Sequence, residues 1–87
     1  MVYSYTPKGV CSRAMQVELD DAHVIQKVEI LGGCHGNLQG ISALVKGMPA
    51  EEAIRRMRGI RCGFKSTSCP DQLAIALEQA LKQSSAD

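Results

Sequence analysis

The chain has 87 residues, a formal net charge of +1, four Cys, two Tyr, one Phe and no Trp. That length suits one domain, residues 1–87, with an aliphatic core so small that a metal, a disulfide or a partner chain would help to stabilise it. The near-zero charge argues against the electrostatic footprint of a general nucleic-acid binder. No stretch is long and apolar enough to span a membrane, and the opening MVYSYTPKGV lacks the apolar core of a signal peptide, so the expected setting is cytoplasmic.

Taken in chain order, residues 2–6 read as an extended segment in which Tyr3 and Tyr5 alternate, punctuated afterwards by Pro7 and Gly9. Residues 13–19, RAMQVEL, alternate with Met15, Val17 and Leu19 on one face and Gln16 and Glu18 on the other, the period of a half-buried strand. Asp20 to His23 form a turn, with His23 read as a surface residue. Residues 24–31, VIQKVEIL, give a second strand with Val28 and Ile30 inward. Two strands about a short polar turn predict an antiparallel hairpin, to which residues 2–6 can add a third strand.

The glycine-rich segment LGGCHGN follows and opens a helix over 38–46, with Leu38, Ile41, Leu44 and Val45 at helical spacing. Gly47 ends it. Pro49 starts a second helix through residue 58, with Glu51 and Glu52 early and arginines late, the charge order that suits the helix dipole. Arg55, Arg56, Arg58, Arg61 and Lys65 read as a solvated helix face and loop. Residues 60–66 connect to a last helix over 70–83, buried along Leu73, Ala76, Leu77, Ala80 and Leu81. A hairpin first and helices after predict an α+β fold, a small antiparallel sheet of two or three strands with three helices packed on one face.

The chemistry lies in the thiols. In a reducing compartment four cysteines more often bind metal or do redox work than form structural disulfides. Cys69 stands between Ser68 and Pro70 at a helix start, where Ser68 or Cys69 is the N-cap and unpaired amides favour an anion. As a cap alone cysteine is a poor choice beside Ser, Thr, Asp or Asn, which favours a functional reading. Cys34 follows two glycines just before a helix, with His35 beside it as an auxiliary ligand or an ordinary loop residue. Cys62 and Cys11, taken singly, read equally well as small buried residues. Together the four sit at element boundaries, from which thiols can converge on one tetrahedral site. The candidate metal ligands are therefore Cys34, Cys69, Cys62 and Cys11, with zinc or an iron–sulfur cluster as the group they suit. A thiol redox protein without metal is the alternative, weakened by the lack of a Cys-x-x-Cys motif. An interaction module with structural cysteines is another.

The motifs TSCPDQLAIAL, YSYTPKGVCS and GGCHGNLQGISALVKG together resemble the TSCPD domain family, over residues 3–81. Such domains occur alone and appended to ribonucleotide reductases, notably cobalamin-dependent ones. Members of the family resemble one another at Cys11, Cys34, Cys62 and Cys69, and the resemblance implies a link to ribonucleotide reductase, and so to DNA synthesis. It does not imply that the chain is itself the reductase, because 87 residues cannot build a radical-bearing barrel with a nucleotide pocket. The partners it implies are ribonucleotide reductase or another protein, with a homodimer as a further option, and neither nucleic acid nor membrane. More distantly, GGCHGNLQGISALVKGMPAEEAI and SCPDQLAIALEQAL resemble U-type iron–sulfur scaffold proteins, with Cys34 and Cys69 matching two of the three cluster cysteines. The loop that carries the third is lacking here, so Cys62 or Cys11 would have to replace it.

Overall fold

A computed structural model describes residues 2–10, 12–32, 35–61, 63–64 and 66–85, with only the backbone at 35, 84 and 85. Three strands, β1 (Val2–Tyr5), β2 (Ser12–Leu19) and β3 (Ile25–Gly32), precede three helices, α1 (His35–Val45), α2 (Ala50–Met57) and α3 (Cys69–Ser85). The sheet is antiparallel throughout in the order β1-β2-β3. α3 lies against β1 and β2, α1 against β3, and α2 against α3. This is the expected α+β arrangement, with the third strand formed.

β2 behaves as its alternation predicts. Met15, Val17 and Leu19 are each about 1% exposed, while Gln16 and Glu18 face solvent. β3 departs from strict alternation. Leu19 pairs with Ile25 but Glu18 pairs with Lys27, so the register slips at the start of the strand. An extra residue on one strand resets which side chains face inward. Ile25 and Val28, three residues apart, are therefore both buried, and Ile30 is half-buried.

The turn between these strands is built by Asp20. Its carboxylate accepts from the amides of Ala22 and Val24, both at 2.9 Å. Such side-chain-to-backbone bonds are why Asp is favoured in turns. His23 adopts a left-handed φ of 63°, is half-buried, and its carbonyl accepts from the Ala50 amide at 2.9 Å. It is thus a joint between the hairpin turn and α2 rather than a bare surface residue. Two more bonds, Ile25 N to Met48 O (2.9 Å) and Gly47 N to Ile25 O (2.7 Å), run the α1–α2 connector along the outer edge of β3. The start of that edge, at Ile25, is thereby closed to further strand pairing.

α1 begins three residues earlier than its apolar spacing suggests. Leu38 and Val45 are buried and Ile41 half-buried, but Leu44 is 77% exposed. Gly47 follows at φ 85°, a left-handed position that glycine takes without steric cost. α2 buries Ala50, Ala53 and Met57 and keeps its acids early and its arginines late. α3 buries Leu73, Ala74, Ala76, Leu77 and Ala80 completely. Ala74 lies off the single stripe expected because α3 is covered on two sides, by the sheet and by α2.

Candidate functional site at the start of helix α3

Residues 67–72, TSCPDQ, hold the start of α3 in place. Ser68, not Cys69, is the N-cap: its hydroxyl accepts from the Asp71 amide at 3.2 Å, and its carbonyl accepts from the Gln72 amide at 2.8 Å. The Ser68 hydroxyl also donates to the Ile60 carbonyl at 2.6 Å, tying the connector to the cap. Pro70 has no amide hydrogen to satisfy. The first turn therefore already uses the donors at Asp71 and Gln72, fewer than the open helix start the sequence suggests.

Asp71 is the centre of the network. It is about 4% exposed and accepts from the Thr67 hydroxyl (2.5 Å), the Gly59 amide (2.7 Å) and the Arg58 guanidinium (2.9 Å). Burial pushes its carboxyl up, but the bonds from Thr67, Gly59 and Arg58, with the Arg58 charge, outweigh that and hold it below the usual carboxylate range. Arg58 also donates to Glu78 at 2.7 Å. Arg58 thus stays on the exposed face expected for the basic residues, half-exposed, while its guanidinium also clamps α3. Charge pairs between separate elements leave no periodic trace in sequence.

Gln72 completes the cradle. Its side-chain oxygen accepts from the Tyr5 hydroxyl (2.8 Å) and the Lys8 amide (3.0 Å), and its side-chain nitrogen donates to Thr67 at 2.9 Å. Burial, the neighbouring Tyr3 and the Asp71 charge push the Tyr5 phenol up, so it remains a donor. Gly9, at φ 74°, packs so closely that an added Cβ would lie 3.1 Å from the Thr67 methyl. The segment from β1 towards β2 is thus pinned across the start of α3.

The thiol sits at the margin of this network. Cys69, the first residue of α3, is half-buried against the core, with its sulfur 3.4 Å from the Ser12 hydroxyl. Ser12 is about 4% exposed and pairs with Gly32 across the sheet. Cys11, Cys34 and Cys62 lie outside the described residues, as does the side chain of His35. The chain that flanks those cysteines is described, and it meets here. Gly9 and Ser12, to either side of Cys11, touch Thr67 and Cys69. Gly32, two residues before Cys34, is the register partner of Ser12. Ile60, two residues before Cys62, is bonded to Ser68. Among the described residues, no group of three or more His, Cys, Asp or Glu side chains is placed to hold a metal ion.

The sequence pointed to Cys69 but missed its surroundings. Tyr5, Gly9 and Ser12 lie within YSYTPKGVCS and Gln72 within TSCPDQLAIAL, but nothing in those motifs says that they meet. By strict alternation Ser12 is out of phase with the Met15-Val17-Leu19 face, and only the register shift between Ser12 and Ala14 brings it to the buried side. No helix among the described residues is long and apolar enough to cross a membrane. Residues 1–81 match the family model of the TSCPD domain. Comparison with curated proteins and with solved structures gives no match.

Proposed function

The chain belongs to the TSCPD domain family, and from that premise we propose that it is a cysteine-based metal-binding accessory module serving a ribonucleotide reductase. The observation that carries the metal reading is the meeting of chain segments at Cys69. Residues flanking Cys11, Cys34 and Cys62 reach the same end of the sheet. Cys69 fits as one ligand. Its sulfur is half-buried and faces a buried hydroxyl, and it stands on a helix turn made rigid by Ser68 and Asp71. A donor set of thiols suits zinc or an iron–sulfur cluster rather than magnesium or calcium. Cys34, Cys62 and Cys11 would supply the remaining ligands, with His35 as a substitute for one of them.

Such a centre would add folding free energy to a small aliphatic domain. It would also fix the loops around Cys34 and Cys62 relative to α3, giving a defined surface for a larger enzyme to recognise. The link to a reductase rests on the resemblance of the cysteine-bearing motifs to domains appended to those enzymes.

The test is elemental analysis with a visible absorption spectrum on protein purified without oxygen or chelators. Zinc near one per chain without colour, or iron and sulfide with brown colour, supports the reading. Metal-free, fully folded protein with four reactive thiols contradicts it and leaves a thiol redox or interaction role.

A further inference from the structure

Ser12 reaches the covered side of the sheet through an irregularity in β2. It pairs with Gly32 while Ala14 pairs with Leu31, so Arg13 is the extra residue of a bulge. Ser12 and Met15 are then both buried, and Arg13 and Ala14 between them are exposed. Bulges re-aim side chains, and they recur beside functional sites. The side chain re-aimed here ends in a hydroxyl that lies 3.4 Å from the Cys69 sulfur.

A buried hydroxyl needs a partner, because burial takes away its hydrogen bonds to water. Among the described residues, Cys69 is the partner that the Ser12 hydroxyl has. A neutral thiol is a weak donor and a weak acceptor, so it offsets the loss of water poorly. An anionic sulfur accepts more strongly, and it has no proton, so the hydroxyl must then be the donor. The amides that follow Cys69 are engaged elsewhere. Asp71 donates to the Ser68 hydroxyl, Gln72 donates to the Ser68 carbonyl, and Pro70 has no amide hydrogen. Ser12 is the donor left facing the sulfur from across the sheet.

We propose that Ser12 is a positioning residue for Cys69, its hydroxyl donating to the sulfur when that sulfur is an anionic metal ligand. This role rests on the metal reading above and adds a residue outside the ligand set. A coordinated thiol is deprotonated outright, which makes it the acceptor that the buried hydroxyl otherwise lacks. Groups that hydrogen-bond a metal ligand without touching the metal fix its orientation and typically contribute about 10–100-fold to metal affinity. The same bond lowers the energy of the sulfur lone pairs, so a sulfur-to-metal charge-transfer band moves to shorter wavelength.

The probe is Co²⁺, titrated without oxygen into the full, metal-free chain against a chelator of known affinity. Co²⁺ enters tetrahedral thiolate sites of the kind that suit zinc, and sulfur ligation gives it an intense charge-transfer band. Ser12→Ala should bind Co²⁺ at least about 10-fold more weakly than wild type, with the band displaced to longer wavelength. Ser12→Thr keeps the hydroxyl and should restore both affinity and band. The melting midpoint of metal-free Ser12→Ala should lie within about 3 °C of wild type, because the neutral thiol is a poor partner for the hydroxyl.

A Ser12→Ala chain with wild-type affinity and band overturns the proposal and leaves the metal reading standing. So does weaker binding with an unmoved band, which reduces Ser12 to packing. A larger fall in the metal-free melting midpoint also overturns it, because the hydroxyl would then serve the fold rather than the ligand. A folded Ser12→Thr chain that matches Ser12→Ala in affinity and band does the same. A wild-type chain with no sulfur-to-cobalt band overturns the proposal whatever else it binds. If that chain also carries no metal as purified, the metal reading falls with it.

Discussion

Asp71→Asn isolates the interaction on which the start of α3 depends. Asn preserves the shape of Asp71, and its carbonyl oxygen can stay where Gly59 and Arg58 donate. Its amide nitrogen then faces Thr67, whose hydroxyl can reverse and accept, although it already accepts from Gln72. The fold survives, but the charge-assisted character of the bonds is lost. A hydrogen bond to a charged group contributes about 1.5–3 kcal/mol and a neutral one about 0.5–1.5. Losing that difference at the Thr67 and Gly59 bonds costs about 2 kcal/mol, roughly 10 °C in melting midpoint for a domain of this size. The share of Arg58 is left out because it is half-exposed and screened by solvent. Asp71→Ala, which removes the acceptor altogether, should cost about twice as much.

The pH dependence supplies the control. The folded carboxyl lies below its ordinary value of 3.8. Its stabilisation is complete above that unfolded-state value and is lost as pH falls through the lower folded one. Urea melts of wild type and Asp71→Asn should therefore differ by about 2 kcal/mol at pH 7 and converge as the pH is lowered below 3.8. A difference under about 0.5 kcal/mol at pH 7, or one that persists unchanged in acid, would refute the role given to Asp71.

Cys69→Ser should lower metal content by at least half while shifting the melting midpoint of metal-free protein by no more than about 3 °C, because the cap belongs to Ser68; a variant with full metal content would show that Cys69 only fills space. Ser68→Ala removes the cap and the donor to Ile60 and should cost about 1–2 kcal/mol in urea melts of metal-free protein. Gly9→Ala forces a side chain into a left-handed backbone and against Thr67, with an expected loss of about 1–3 kcal/mol by the same assay.

Where one face of an element is buried, its period shows in the sequence. Met15-Val17-Leu19 announced β2 because the sheet has one covered face, and the Leu73-Leu77 spacing announced α3. The slip that buries both Ile25 and Val28 was hidden, since a bulge is set by pairing with the neighbouring strand and not by residue order. Likewise Leu44 has the right spacing for the core of α1 and is exposed, because among the described residues no element packs over it. At the candidate site the spelling TSCPD identified the segment and Ser68 as a cap candidate, yet the hydrogen-bond network of Thr67 and Asp71 was not legible. Thr67, Ser68 and Asp71 build the cap and the clamp, and Pro70 borders a groove. Gly9 packs on Thr67, Arg58 bonds Asp71, Tyr5 bonds Gln72 and Ser12 meets Cys69, all across 12 or more residues, and such contacts have no local signature.

The most direct measurement is a crystal structure of anaerobically purified protein with anomalous data collected at the zinc and iron edges. The account predicts one anomalous centre bonded at about 2.3 Å to the sulfur of Cys69, with the sulfur of Cys34 within about 4 Å of it around a single tetrahedral ion, or somewhat farther across a cluster. Ordered loops that hold those two sulfurs more than about 10 Å apart, with no anomalous peak near Cys69, would contradict it.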